Sequence, residues 1–227
     1  MDGRTGLPVA ALAGLLSPLT WGSPRRTVVR LTAFARAEEG SRIDLCAAAA
    51  RCEAPERAAA YLEHARDEAR HTQMFAAHAR RLAQQHHLPP PPPIRADGSD
   101  LFETLGEADF LAFVHLGEQR AVQQFSGYER WLTGRDDKTA AVFTALIADE
   151  RRHAAYSRAL LVGLVGEDAT RSAIRRARTW GVWRTWRRVG RHTARLVYRG
   201  LFLTLVPLLA LLSLWVRVVR PEQRGWK

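Results

Sequence analysis

The sequence predicts an all-α protein: a four-helix bundle with one long crossover, followed by a basic amphipathic helix and a C-terminal hydrophobic helix. One observation is a five-residue phrase that occurs twice, as Asp-Glu-Ala-Arg-His at 67–71 and Asp-Glu-Arg-Arg-His at 149–153. A second is the length of the three links between the four predicted helices: the first link is short, the second is long and the third is short. That order is typical of two helical hairpins docked against each other.

The first hairpin is predicted from two helices, at about 24–51 and 55–85. Pro55 supports the start of the second helix, because proline is favoured at the first helical position. Residues 86–99 contain five consecutive prolines. Polyproline is stiff and cannot continue a helix, so we expect this segment to be the long crossover.

The second hairpin begins with a helix predicted over 100–132, where Asp100 and Glu103 have the spacing of a capping box. Residues 134–137 supply a short turn and an N-cap for the fourth helix, which is expected to end near Val165. The bundle domain is therefore assigned to residues 25–165.

The charge of the chain is unevenly distributed. Residues 1–165 carry 20 Lys/Arg and 20 Asp/Glu, whereas residues 166–227 carry 14 and 3, which accounts for the whole net charge of +11. A basic tail favours an anionic partner. The only two cysteines, Cys46 and Cys52, do not form a disulfide framework or a Cys-x-x-Cys motif, which suits a reducing compartment.

Residues 1–24 form an apolar N-terminal segment interrupted by Pro8 and Pro18. A signal peptide is disfavoured, because its start carries one acidic and one basic residue and no clear cleavage pattern. We expect this segment to pack on the bundle or to enter a membrane surface.

The tail divides into a basic helix at 166–199 and a hydrophobic anchor at 200–219. Ten arginines between 171 and 199 alternate with tryptophans at three-residue spacing, a pattern typical of interfacial helices. Residues 201–216 then lack any charge. Sixteen residues is slightly short for a spanning helix, so a spanning helix, an in-plane anchor and a buried fifth helix all remain open.

The apolar run disfavours nucleic acid as the partner, and the basic flank places the bundle on the cytoplasmic side of a membrane.

Each repeated phrase contains Glu-x-x-His, which places a carboxylate and an imidazole on one face of a helix. A further glutamate precedes each copy. Aligning Glu39 with Glu118 matches apolar residues four and seven positions later, so Glu39 is preferred and Glu38 is the alternative. The predicted metal-ligating residues are Glu39, Glu68, His71, Glu118, Glu150 and His153.

Four carboxylates buried without counter-charge would be very costly. Two divalent cations would neutralise them, and mixed carboxylate and imidazole ligands suit iron or manganese. The expected cofactor is therefore a pair of Fe ions, with Mn or a mixed Fe/Mn pair as alternatives. Other histidines, His64 and His78 among them, are interpreted as surface or packing residues.

This pattern resembles the ferritin-like di-iron carboxylate proteins, a superfamily that includes rubrerythrins, bacterioferritins and di-iron hydroxylases. The resemblance covers about residues 28–164. It implies bridging carboxylates at Glu68 and Glu150 and terminal carboxylates at Glu39 and Glu118. Asp67 and Asp149 are candidates for orienting a histidine across the bundle.

The resemblance and the tail together predict a membrane-attached di-iron oxidoreductase that uses O2 or peroxide. Its expected partners are an anionic membrane surface, an electron donor and a small-molecule or lipid-phase substrate, and a homodimer is compatible with the sequence. The alternatives are a ferroxidase or peroxide-defence protein, a non-enzymatic membrane adaptor and, fourth, a nucleic-acid-binding protein.

Overall fold

The computed structural model describes the backbone of residues 9–219, and the side chains of these except residues 9–13, 184–185, 187–189, 191–192 and 216–219. Within this part of the chain the protein is helical and contains no strand, as predicted. The helices are α1 (Val9–Trp21), α2 (Pro24–Arg51), α3 (Pro55–Gln85), α4 (Leu101–Leu105), α5 (Glu107–Leu132) and α6 (Asp137–Val219). Gly166 interrupts α6 with φ 79° and ψ 166°, so two helical segments, 137–165 and 167–219, follow one another.

The chain divides into two compact units, Met1–Arg178 and Thr179–Lys227. Residues 167–178 belong to the first unit, although the sequence assigned them to the basic tail. Ala173 and Ala177 are buried, and Arg176 pairs with Asp109 of α5 at 2.6 Å. Of the predicted N-terminal segment, residues 1–8 lie outside the described part of the chain.

The first hairpin begins and ends where local chemistry predicts. Ser23 caps α2 by accepting a hydrogen bond from the backbone N–H of Arg26 at 3.4 Å, and Pro24 occupies the first turn. Pro55 occupies the corresponding position of α3. Proline is tolerated there because the first N–H groups of a helix have no intrahelical partner.

The polyproline crossover runs along α2. The backbone N–H of Ser99 donates to Asp44 Oδ1 at 2.7 Å. A Cβ built on Gly98 would lie 2.5 Å from Ile43 Cγ2. Glycine is therefore required at this point because the backbone of the crossover approaches a stiff, β-branched side chain.

The predicted capping box at Asp100 is wrong. Asp100 adopts a left-handed conformation (φ 44°) and makes no side-chain cap, and its carboxylate instead accepts a hydrogen bond from Arg51 at 2.6 Å. The predicted third helix is also divided, because Gly106 (φ 74°) separates α4 from α5. The turn before α6 is confirmed, since Asp136 Oδ1 accepts from the backbone N–H of Thr139 at 3.1 Å.

An aromatic cluster forms the core of the first unit between α2, α3, α5 and α6. Phe34 stacks on Phe75 with ring centroids 5.3 Å apart and meets Phe125 edge-on at 5.4 Å. Trp21 of α1 packs edge-on against Phe143 at 5.5 Å, so the N-terminal helix closes one side of this core. Such pairs stabilise the fold beyond the area they bury.

The second unit contains a helical stretch, Thr193–Trp215, that is long and apolar enough to cross a membrane, and none of it is buried. Its apolar side chains from Leu201 to Trp215 are 46–72% exposed. Soluble proteins rarely expose a contiguous apolar surface of this extent, which favours attachment of this helix to a membrane. Trp183 and Trp186 of the preceding basic stretch are also exposed.

Candidate metal centre

The two Glu-x-x-His motifs meet in the interior of the first unit, one from α3 and one from α6. Glu68, His71, Glu150 and His153 are each at most 1% exposed. Glu118 of α5 joins them and is 8% exposed. Five of the six predicted ligand residues are therefore brought into one buried cluster.

The sixth residue, Glu39, lies outside the cluster, and its neighbour Glu38 takes the corresponding place. Glu39 binds Arg42 through both carboxylate oxygens, at 2.7 and 2.9 Å. Glu38 instead lies beside Glu68 and His71, and these three residues offer ligand atoms within 4.8 Å of one another. The structure thus favours the alternative glutamate on α2.

The register of α2 explains this difference. Glu38 lies seven residues after Leu31 and seven before Leu45, and both leucines are buried. Glu118 lies seven residues after the buried Leu111 and seven before the buried Phe125. Residues seven apart share one face of a helix, so Glu38 and not Glu39 is the true counterpart of Glu118.

His71 and His153 each direct Nδ1 towards the two central carboxylates. His71 Nδ1 lies 3.2 Å from Glu150 Oε1 and 4.0 Å from Glu68 Oε1. His153 Nδ1 lies 3.7 Å from Glu68 Oε1 and 3.9 Å from Glu150 Oε2. The two helices therefore contribute to the cluster in nearly equivalent ways.

The other nitrogen of each of these rings is held by an aspartate from the opposite motif. His71 Nε2 is 3.2 Å from Asp149 Oδ2, and His153 Nε2 is 3.0 Å from Asp67 Oδ2. This is the crosswise arrangement that the sequence suggested. An acceptor at Nε2 keeps the proton there and leaves the lone pair of Nδ1 facing the carboxylates.

Two arginines fix the aspartates in turn. Arg70 bonds to Asp67 at 2.7 Å and to Asp149 at 2.6 Å. Arg152 bonds to Asp149 at 2.7 Å and to Asp67 at 2.5 Å. Burial opposes ionisation of Asp67, but its hydrogen bonds outweigh that effect and hold its pKa at about 2. The repeated phrase thus builds a closed ring of four charges beside the histidines.

Burial and mutual repulsion shift the pKa values of the carboxyl groups in the cluster. Burial raises the pKa of Glu68 well above its ordinary value, and the neighbouring charge of Glu38 raises it further. Burial raises the pKa of Glu118 in the same way, whereas at Glu150 the effect of burial is outweighed by its neighbours Glu118, His153 and His71, which lower its pKa. Glu68 and Glu118 are therefore carboxyl groups that keep a proton in the metal-free protein. A cation that binds here must displace these protons.

Buried polar atoms that lack a hydrogen bond converge in this cluster. Among the described residues, they include Glu68 Oε2, His71 Nδ1, Glu150 Oε1 and His153 Nδ1. A buried polar atom without a partner is costly, and here four of them belong to the four motif side chains. These carboxylate and imidazole donors fit one or two divalent cations, which would satisfy the orphaned atoms and offset the buried negative charge.

His64 belongs to the same cluster, which corrects its predicted role as a surface or packing residue. It is 1% exposed, and its Nε2 lies 2.9 Å from Glu68 Oε1. The available signal was its position four residues before Glu68, which places both side chains on one face of α3. His78, by contrast, is a packing residue as expected, since its Nε2 bonds to Thr139 Oγ1 at 2.8 Å.

Comparison with known proteins adds no relative: no family model, no curated protein and no solved structure matches the chain. The assignment of function therefore depends on the buried cluster and on the apolar helix.

Proposed function

We propose that the chain is a membrane-attached oxidoreductase whose first unit is a ferritin-like four-helix bundle that holds two iron ions. The observation that carries this proposal is the convergence of orphaned carboxylate and imidazole atoms from two copies of one motif. A packing or surface role would not bury so many charged groups against one another, because like charges in a low-dielectric interior repel strongly.

The chemistry of the donor set supports iron or manganese over calcium or a structural zinc ion. Calcium prefers oxygen ligands alone, whereas this cluster offers imidazoles as well as carboxylates. A pair of iron ions supplies the two electrons needed to reduce O2 or peroxide. In this proposal Glu38, Glu68, Glu118 and Glu150 would hold the ions together with His71 and His153, and the ion pair would supply the redox chemistry.

The second part of the proposal concerns location. The helix Thr193–Trp215 attaches the protein to a membrane, and the ten arginines at 171–199 favour the cytoplasmic side, where cationic flanks are retained. Membrane attachment brings the metal centre to a lipid-phase substrate. We therefore propose that the centre oxidises or hydroxylates an apolar molecule dissolved in the bilayer.

Metal content tests the site directly. Full-length protein purified in detergent is loaded anaerobically with ferrous iron, and the metal bound per chain is measured. We expect about two ions per chain, and loss of both in the double variant Glu68→Ala/Glu150→Ala. The matched control is Glu63→Ala/Glu167→Ala, which removes one exposed glutamate from each of the same two helices and should retain both ions. Wild-type protein without stoichiometric metal would overturn the proposal.

Oxygen consumption tests the reaction. Ferrous-loaded protein in vesicles made from total bacterial lipid extract, supplied with a chemical reductant, should consume O2 repeatedly and yield an oxidised lipid-phase product detectable by mass spectrometry. Repeated oxidation of added ferrous iron without any organic product would instead assign a ferroxidase. Stable metal binding with neither activity would leave the metal a structural role in a membrane adaptor.

A further inference from the structure

A third imidazole faces the buried carboxylates. His64 lies on α3 one turn before Glu68, and its Nε2 is 2.9 Å from Glu68 Oε1 and 3.6 Å from Glu118 Oε1. Its ring packs against that of His153, with centroids 3.7 Å apart and ring planes 31° apart. Ligand atoms from these four residues all lie within 4.8 Å of one another. One set of atoms is therefore close enough to surround a single ion.

His64 is held at its outer nitrogen in the same way as the two motif histidines. Asp149 and Asp67 hold Nε2 of His71 and His153. The hydroxyl of Tyr156 lies 2.6 Å from Nδ1 of His64. A phenol oxygen can accept a hydrogen bond from Nδ1–H, and the lone pair of Nε2 then faces the carboxylates.

The internal repeat does not reproduce this histidine. The position four residues before Glu150 is Leu146, which is fully buried in the apolar core. The other group of candidate ligands consists of Glu38, Glu68 and His71. One side of the cluster therefore offers two imidazoles where the other offers one.

We propose that His64 is a third imidazole ligand and that it makes the two metal positions unequal. This inference rests on the proposed metal centre. The position formed with His153 and Glu118 is richer in nitrogen and binds its ion more tightly, and it favours iron over manganese more strongly than the position formed with Glu38 and His71. The reason is that imidazole suits the later divalent metals, whereas carboxylates suit manganese and magnesium.

Anaerobic titration with Co²⁺ tests the inequality, because the visible spectrum of Co²⁺ responds to its ligands. The wild-type chain should bind two ions in separable steps. His64→Gln should weaken the tighter step at least about tenfold and change its spectrum, since outer partners of metal ligands alone contribute roughly 10–100-fold. Tyr156→Phe should weaken the same step by a smaller factor. The control His78→Gln removes another buried histidine of α3 and should change neither step.

A second measurement needs no variant. In the Co²⁺-loaded wild-type protein, each ligating imidazole should give one strongly shifted, exchangeable N–H resonance in the proton NMR spectrum. Three such resonances are expected, from His64, His71 and His153, and two would overturn the role of His64. Binding of two ions with unchanged affinities and spectrum in His64→Gln would also overturn it while leaving the metal centre intact. A wild-type chain that binds no Co²⁺ would overturn both the inference and the proposed function.

Discussion

Glu38→Gln and Glu39→Gln form a matched pair, because they make the same change at neighbouring positions on different faces of α2. Glu39 is partly exposed and pairs with Arg42 three residues later. Such a surface pair contributes about 0–1 kcal/mol. Glu39→Gln should therefore leave metal binding unchanged and affect stability only slightly.

Glu38→Gln removes one of the four carboxylates from the cluster. At an effective dielectric constant of about 20, a unit charge about 4 Å from another contributes about 4 kcal/mol. Loss of hydration when the carboxylate is buried reduces the net effect, so we take about tenfold weaker binding, or about 1.4 kcal/mol, as the minimum. The measurement is competition with a chelator of known affinity, on detergent-solubilised full-length protein.

The metal-free protein should respond in the opposite direction. Burial raises the pKa of Glu38 from 4.5 to about 7. Because the pKa of Glu38 is higher in the folded than in the unfolded state, ionisation of Glu38 destabilises the folded protein. The protein therefore keeps its full stability below pH 4.5 and loses up to about 3 kcal/mol as the pH rises through about 7. The neutral amide introduced by the substitution avoids that loss. Metal-free Glu38→Gln should therefore be more stable than the wild type at pH 8 and equal to it below pH 4.5, as measured by chemical denaturation.

Equal metal affinity in the wild type and Glu38→Gln, together with weaker binding in Glu39→Gln, would refute this reasoning. It would mean that α2 presents the face chosen from the sequence alignment and not the face seen in the structure.

Three further predictions concern other parts of the chain. Glu107 accepts hydrogen bonds that outweigh burial and lower its pKa. Glu107→Gln should therefore be less stable than the wild type at pH 7, by about 1.5–3 kcal/mol. Urea unfolding at a series of pH values should show this difference vanish as the pH falls below the ordinary carboxyl range. Gly98→Ala should cost about 1–3 kcal/mol in thermal unfolding because its Cβ would meet Ile43, whereas Gly163→Ala, with open space around it in a helix, should be neutral or stabilising. Leu209→Arg should oppose insertion by about 2.5–3.5 kcal/mol and shift the protein out of the floating vesicle fraction, and unchanged flotation would argue against the membrane anchor.

Much of the fold follows from local sequence signals. Proline at the first helical turn, the polyproline crossover and the acidic cap before α6 each act within a few residues, and the structure contains each of them. The capping box at Asp100 failed because a long-range partner, Arg51, takes its carboxylate. The division of the third predicted helix depends on a left-handed glycine at Gly106, and glycine alone does not reveal which conformation it adopts.

The types of donor in the cluster and their spacing along each helix follow from the sequence alone. The repeated phrase supplies Glu68, His71, Glu150 and His153, and it also supplies the aspartates that hold the two histidines. A helix fixes the angle between its own residues at about 100° per position, so these relations could be read without a structure.

The face of α2 that meets the cluster, and the further side chains that reach it, depend instead on tertiary packing. Glu38 and Glu39 differ by a single helical step, and the packing of Leu31 and Leu45 selects Glu38. His64 lies in the cluster because His153 and Tyr156 of α6 pack against its ring. The rotation of one helix against its neighbours is set by packing across the core, and that information is distributed over residues far apart in the chain.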